Sequence, residues 1–167
     1  MLLTTSRLLI RPLAPTDALD VHAFAGLREV MAPAGLAPHK DLSETRLALT
    51  DWMQSGGHAL QLLETDQVIG LLLVRNARLT VLVHPNFQRM GLGTEAVLAA
   101  AGDCFCHGLP ALTALCFQRD TASRALLTRC GFEESGSGVL FSQLLERELP
   151  AASYRLTPDG LDDRLSQ

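Results

Sequence analysis

Leu79-Thr-Val-Leu-Val-His-Pro85, followed by Asn86-Phe-Gln-Arg-Met-Gly-Leu-Gly93 and then Thr94-Glu-Ala-Val-Leu-Ala-Ala-Ala-Gly-Asp-Cys-Phe-Cys106, is the run around which the chain is organised. Its first part is β-branched and aliphatic, as a buried strand is, and Pro85 ends it because proline donates nothing to a ladder. Its last part is rich in alanine and leucine, with Val97, Ala101 and Cys104 at helical spacing. Between them lies Gln88-Arg89-Met90-Gly91-Leu92-Gly93. The unit is strand, glycine-bearing loop, helix. A helix start exposes unpaired N–H groups and the positive end of the dipole, so such a loop suits a phosphate. Glycine lets the anion approach the backbone.

Two patterns share this loop. Gly91-Leu92-Gly93-Thr94-Glu95-Ala96 fits the dinucleotide form G-x-G-x-x-G/A, which would imply a nicotinamide-dependent oxidoreductase. Gln88–Gly93 resembles the Q/R-x-x-G-x-G/A signature of GNAT acetyltransferases, which hold the pyrophosphate of acetyl-CoA. Spacing favours the second. A dinucleotide fold puts its first glycine almost at the strand end, whereas seven residues separate Val83 from Gly91 here. It also wants an acid at the end of the next strand, and the candidate strand Leu112–Phe117 contains none, Asp120 lying just beyond.

A second stretch supports the resemblance. Asp120-Thr121-Ala122-Ser123, then Gly131-Phe132, is similar to the family's N-x-A-S-x-x-x-L/Y-x-x-x-G-F, with aspartate for the usual asparagine. Near the start, Thr5-x-Arg7-Leu8-x-Ile10-Arg11-Pro12-Leu13, then Asp17-Ala18, resembles the branch that acetylates ribosomal-protein N-termini and other amines. The resemblance spans roughly Thr5 to Leu156 and implies an α/β (α+β) GNAT fold: one mixed, mostly antiparallel sheet of about seven strands flanked by helices. Residues 1–167 read as a single domain, with 158–167 a short helix or frayed tail.

Element by element, the expectations are these. Thr4–Arg11 is an opening strand, and Pro15-Thr16-Asp17 starts a helix running to about Gly26. Met31–Asp41 is a loop; in GNAT relatives this region lines the acceptor pocket, so His39 and Lys40 are candidates to face substrate beside their reading as a solvated loop. Ser43 caps a second helix carrying Leu49, Trp52 and Met53. His58–Glu64 and Gln67–Arg75 form a hairpin turning at Thr65-Asp66. Asp120 or Thr121 caps a later helix that Gly131 ends. Ser135–Gly138 is a turn, and Ala152–Leu156 the final strand.

Composition narrows the function classes. Hydrophobic residues make up 47%, so the chain is globular rather than disordered. No apolar run has the length of a membrane span, and Met1–Arg7 lacks the pattern of a secretion signal, so a cytoplasmic protein with no membrane partner is expected. A net charge of −4 argues against broad nucleic-acid binding. The four cysteines, Cys104, Cys106, Cys116 and Cys130, fall on candidate buried elements and read as small hydrophobes in a reduced core. Cys104, Cys106 and His107 do not make a metal site, because helical positions two apart point to different sides; no metal is expected.

The resemblance also implies the site. The strand edge Val81, Leu82 and Val83 would pair with pantetheine, and an N–H near Leu82 would polarise the thioester carbonyl. The amides of Gln88, Arg89, Met90, Gly91, Leu92, Gly93 and Thr94 would hold the pyrophosphate. Asp120 and Ser123 would lie beside the pantetheine arm. The partners are acetyl-CoA and an amine, either a protein N-terminus or a small molecule; a homodimer is compatible, though no stretch marks an interface. The family's acid is often a tyrosine four residues before the Gly-Phe pair, and that position holds Leu127. The catalytic acid and base are therefore unassigned. His84 and Ser123 are candidates, each with a structural reading beside it: a Val-His-Pro turn and a helix start. The missing tyrosine also motivates a second reading, a non-catalytic acyl-CoA-binding or sensing module.

Overall fold

The computed structural model describes residues 1–166. Eight strands form one sheet: β1 (Leu3–Thr4), β2 (Leu8–Pro12), β3 (His58–Leu62), β4 (Val68–Arg75), β5 (Arg78–Val83), β6 (Leu112–Phe117), β7 (Glu133–Ser142) and β8 (Arg147–Leu156). Their spatial order is β1-β2-β3-β4-β5-β6-β8-β7. Every neighbouring pair is antiparallel except β5 and β6. A parallel pair cannot be joined by a tight turn, and a helix makes the crossover here.

The helices are α1 (Ala18–Ala25), α2 (Arg28–Met31), α3 (Leu42–Gln54), α4 (Leu92–Cys106), α5 (Thr121–Arg129) and α6 (Pro158–Leu165). They cover both faces of the sheet. On one face, Val21 and Phe24 of α1 and Leu49 of α3 pack with Leu71 and Leu82. On the other, Ala96, Val97, Ala100 and Ala101 of α4, Leu127 of α5 and Leu161 of α6 pack with Ile69, Leu72, Leu79 and Leu112. Successive strand residues point to opposite faces, so β4 and β5 feed both cores. Gly70 is required in β4 because a Cβ there would run into the Leu82 carbonyl oxygen and lie 3.2 Å from Val83 Cα.

Several expectations need correction. The sheet, expected with about seven strands, has eight, and the opening segment, expected as one strand, breaks at Thr5–Arg7 into β1 and β2. The Met31–Asp41 segment is not wholly loop: α2 reaches Met31 and a 3-10 turn covers Ala32–Ala34. Asp41, not Ser43, caps α3, its carboxylate accepting from the Glu44 N–H at 2.9 Å. Ser135–Gly138 is not a turn but lies within β7, which pairs with β8 from Glu133↔Arg155 to Ser142↔Arg147 with a bulge near Gly136. β8 correspondingly begins at Arg147 rather than Ala152. Cys106 is exposed rather than buried, because it ends α4 on the solvent side.

Candidate functional site

β5 and β6 meet at a single register pair, Arg78↔Thr113, at the start of both strands. The Thr113 N–H donates to the Ala77 carbonyl at 2.8 Å. Beyond that point the strands part. β5 stays paired with β4 as far as Gly70↔Val83, and β6 pairs with β8 as far as Phe117↔Ala151. The edges that Val81–Val83 and Ala114–Phe117 turn toward each other therefore border an opening in mid-sheet. Because the two strands are parallel, the opening widens toward the carboxyl ends of both, where ligands of such crossovers lie. Leu82 is buried toward α1, while Val81 and Val83 are half-buried toward α4.

The loop after β5 is shaped by its own side chains. His84 Nδ1 accepts from the Asn86 N–H at 3.1 Å, and its ring meets Phe87 edge-on at 5.8 Å. Gln88 Nε2 donates to the Val83 carbonyl at 2.8 Å, and the Gln88 N–H donates to Pro85. Gln88 thus braces the loop, and its amide is not free for a ligand. Arg89 and Gly91 then take left-handed conformations, φ +60° and +79°. This geometry curls successive N–H groups into an anion-binding nest. The first helical bond is Glu95 N–H to Gly91. Among the described residues, none of the amides from Arg89 to Thr94 donates within the chain. Six N–H groups are therefore left without an intrachain acceptor at the positive end of α4.

A clamp tethers this nest to the start of the chain. Glu95 accepts from Thr5 Oγ1 (2.6 Å), Ser6 Oγ (3.0 Å), Arg7 N (2.9 Å) and Arg7 Nε (2.7 Å). Arg7 Nη1 in turn donates to the Met90 carbonyl at 2.8 Å. Burial alone would raise the Glu95 carboxyl, but the donors on Thr5, Arg7 and Ser6 together hold it below its ordinary value. Arg7 brings a guanidinium group to the nest. Sequence reasoning identified Glu95 only as a helix-start acid and missed Arg7. The pair is 88 residues apart, and no spacing rule links them.

On the opposite face of the sheet, α2, the end of β6 and the β7–β8 hairpin enclose a cavity of about 820 Å³. Its apolar wall includes Pro33, Phe117, Leu145 and Leu149. Asp120 sits on its rim. Asp120 Oδ1 caps α5 by accepting from the Ser123 N–H at 3.0 Å, while Oδ2 is buried without a partner among the described residues. Ser123 is half-buried in the first turn of α5. Leu127, four residues before Gly131, is 5% exposed and packs in the α4-side core. The chain's one tyrosine, Tyr154, is buried on β8; its hydroxyl accepts from Arg124 Nε (2.9 Å) and donates to Glu134 (3.3 Å). His39 is turned away from this cavity: it stacks on Trp52 at 5.7 Å and its Nδ1 lies 2.9 Å from Thr45 Oγ1. Burial holds its imidazole below the ordinary histidine value.

Among the described residues no group of three or more His, Cys, Asp or Glu gathers as a metal site, and no helix is long and apolar enough to cross a membrane. A family model described as an acetyltransferase (GNAT) domain matches residues 7–133. The chain belongs to the GNAT acetyltransferase family. Members of this family are acetyl-CoA-dependent acetyltransferases, and this chain is an enzyme of that class. No curated protein matches its sequence. Among solved structures it is similar to a GNAT-family acetyltransferase from Bacillus anthracis, with TM-score 0.84 and 18% identity over 95% of this chain and 99% of that one. It is also similar to spermidine N-acetyltransferase from Vibrio cholerae, solved with CoA and spermine, with TM-score 0.77 and 18% identity over 94% of this chain and 99% of that one. A third is the ribosomal-protein-S5-alanine acetyltransferase of Vibrio fischeri, with TM-score 0.74 and 14% identity over 95% and 97%. At such identities these likenesses establish the GNAT fold.

Proposed function

We propose that this GNAT chain transfers an acetyl group from acetyl-CoA to a primary amine by direct attack. The observation that carries the reading is the row of six amides, Arg89–Thr94, with no acceptor of their own, at the mouth of the parted strands. These residues fit the donor. The nest and its dipole suit a diphosphate, and the guanidinium group of Arg7 adds positive charge beside it. Gly91 leaves the nest open where a larger residue would crowd Arg7. Val81 and Val83 turn their N–H groups to the opening, where they offer donors to the amide groups of a pantetheine arm and to the thioester carbonyl oxygen beside Leu82.

When bound, acetyl-CoA supplies a thioester carbonyl as electrophile. The amine nitrogen bonds to the carbonyl carbon, the C–S bond breaks, the nitrogen loses a proton and the departing sulfur gains one. The protein's part is positioning and charge. Backbone amides hold the donor from the α4 face, and the cavity on the α2 face presents the amine. Asp120 lines the cavity and places a carboxylate charge beside the incoming amine. Ser123 stands one helical turn further on, beside the arm. Leu127 offers no proton and Tyr154 is held by Arg124 and Glu134, so water reaching the opening protonates the sulfur. His84 has its Nδ1 engaged by the Asn86 N–H, which orients the ring. Residues 1–167 act as one acetyltransferase domain in this reading, in the reduced cytoplasm; the four cysteines are free.

The test is calorimetric titration with acetyl-CoA, followed by release of free thiol with a panel of amines. Binding together with sustained thiol release that depends on the amine is the expected result. Binding without turnover on any amine would favour the sensing module, and absence of binding would remove the proposal.

A further inference from the structure

The acceptor cavity has a net positive lining. Three arginines, Arg28, Arg119 and Arg147, line it, against two carboxylates, Glu29 and Asp120. The local balance is therefore +1, on a chain whose net charge is −4. None of the three guanidinium groups makes an ion pair or a side-chain hydrogen bond among the described residues. The three come from separate elements: Arg28 from α2, Arg119 from the β6–α5 connection and Arg147 from the start of β8. Asp120, the buried and unpartnered acid, stands next to them on the rim.

Resting on the acetyl-transfer reading, we propose that the acceptor is a small primary amine that also carries an oxyanion, a carboxylate or a phosphate. Its nitrogen meets Asp120, its anion meets the arginines, and its body lies along Phe117, Leu145 and Leu149. An unpaired guanidinium presents a planar fork that matches either oxyanion in a bidentate way. The same cluster repels a purely cationic chain such as a polyamine. A cavity of about 820 Å³ has room for a molecule of drug-like size.

The experiment is calorimetric titration of matched amine pairs into the full chain saturated with CoA, so that binding is read without turnover. The pairs are leucine against isoamylamine for carboxylate, and phosphoethanolamine against ethanolamine for phosphate. Spermidine and an amidated peptide with glutamate at its second position complete the set. At least one anionic member is expected to bind tenfold or more tighter than its neutral partner and than spermidine, and the pair that discriminates identifies which oxyanion is used. In Arg28→Gln and Arg147→Gln that member is expected to weaken about tenfold, as loss of one charge-assisted contact gives, while CoA affinity and melting temperature hold. Anionic and neutral members within threefold of one another, including no binding by either, would overturn the inference while leaving acetyl transfer standing. Preference for the peptide over both small series would overturn the small-molecule class. Failure of CoA itself to bind the unmodified chain would instead remove the acetyl-transfer reading beneath it.

Discussion

Replacing Glu95 by alanine removes one acceptor from four donors at once. In the native chain its carboxylate holds the hydroxyls of Thr5 and Ser6, the Arg7 N–H and the Arg7 guanidinium. The carboxylate is well covered, at 14% exposure, but Arg7 is 47% exposed, so the ion pair itself is screened. An exposed pair of this kind adds about 0.5 kcal/mol. The part-buried Thr5 bond to the carboxylate adds about 1.5 kcal/mol, as hydrogen bonds to a charged group exceed neutral ones, and the exposed Arg7 N–H bond about 0.5 kcal/mol. Ser6 is exposed and adds little. The expected loss is about 2–3 kcal/mol for Glu95→Ala, or a fall of about 4–12 °C in Tm for a chain of this size. Because the folded-state carboxyl lies below its ordinary value, this contribution is full above the ordinary glutamate range and is lost as pH falls through the depressed value. Urea melts of wild type and Glu95→Ala at neutral pH and again at low pH measure both effects. A neutral-pH difference under about 0.5 kcal/mol, or one that grows as pH drops, would refute the clamp.

Other outcomes follow from the same geometry. Arg7→Ala frees the Met90 carbonyl and removes a charge from the nest, so affinity for CoA is expected to fall about tenfold, more than stability does; equal affinity by titration would argue that Arg7 only braces the N-terminus. Gly91→Ala puts a side chain at φ +79° and should cost about 1 kcal/mol in a thermal melt, whereas Gly93→Ala meets Leu126 at an ordinary 3.7 Å and should leave stability almost unchanged. Asp17→Ala leaves Arg11 without the buried carboxylate it binds through both terminal nitrogens (2.9 and 2.8 Å), and a loss of about 3 kcal/mol is expected in denaturant titration. Thiol labelling of the native chain should find Cys106 first: it is exposed, whereas burial pushes the Cys130 thiol up to about 11, and Cys116 is buried and also raised. Fast labelling of Cys130 before unfolding would contradict that packing.

The parts legible in the sequence were those set by local chemistry. Leu112–Phe117 is a strand with the expected ends, and its alternating burial explains why a β-branched and aliphatic run could be read. Asp120 caps α5 as a short acid before a helix does. The glycine loop ahead of α4 was equally plain, because left-handed φ and unpaired amides leave a compositional trace. What escaped depends on partners distant in the chain. Glu133–Ser142 is nearly all exposed, so β7 carries no alternation of burial, and its pairing with β8 rather than its composition makes it a strand. Asp41 displaced Ser43 as a cap because both are good caps two residues apart. His39 sits in a segment that composition marks as loop, and only the fold shows it leaning on Trp52. Three arginines facing one cavity come from positions 28, 119 and 147, a convergence that one-dimensional spacing does not encode.

The lone rung between β5 and β6 has a mechanical meaning. The sheet is two hydrogen-bonded blocks, β1–β5 and β6–β8, stitched at one stitch and otherwise held together by the helices packed on them. A guest threaded into that seam would act as a missing strand, joining the blocks from within. Hydrogen exchange ought then to register it most strongly in the centre of the molecule, at the amides of Val81 and Val83, which face the seam rather than β4.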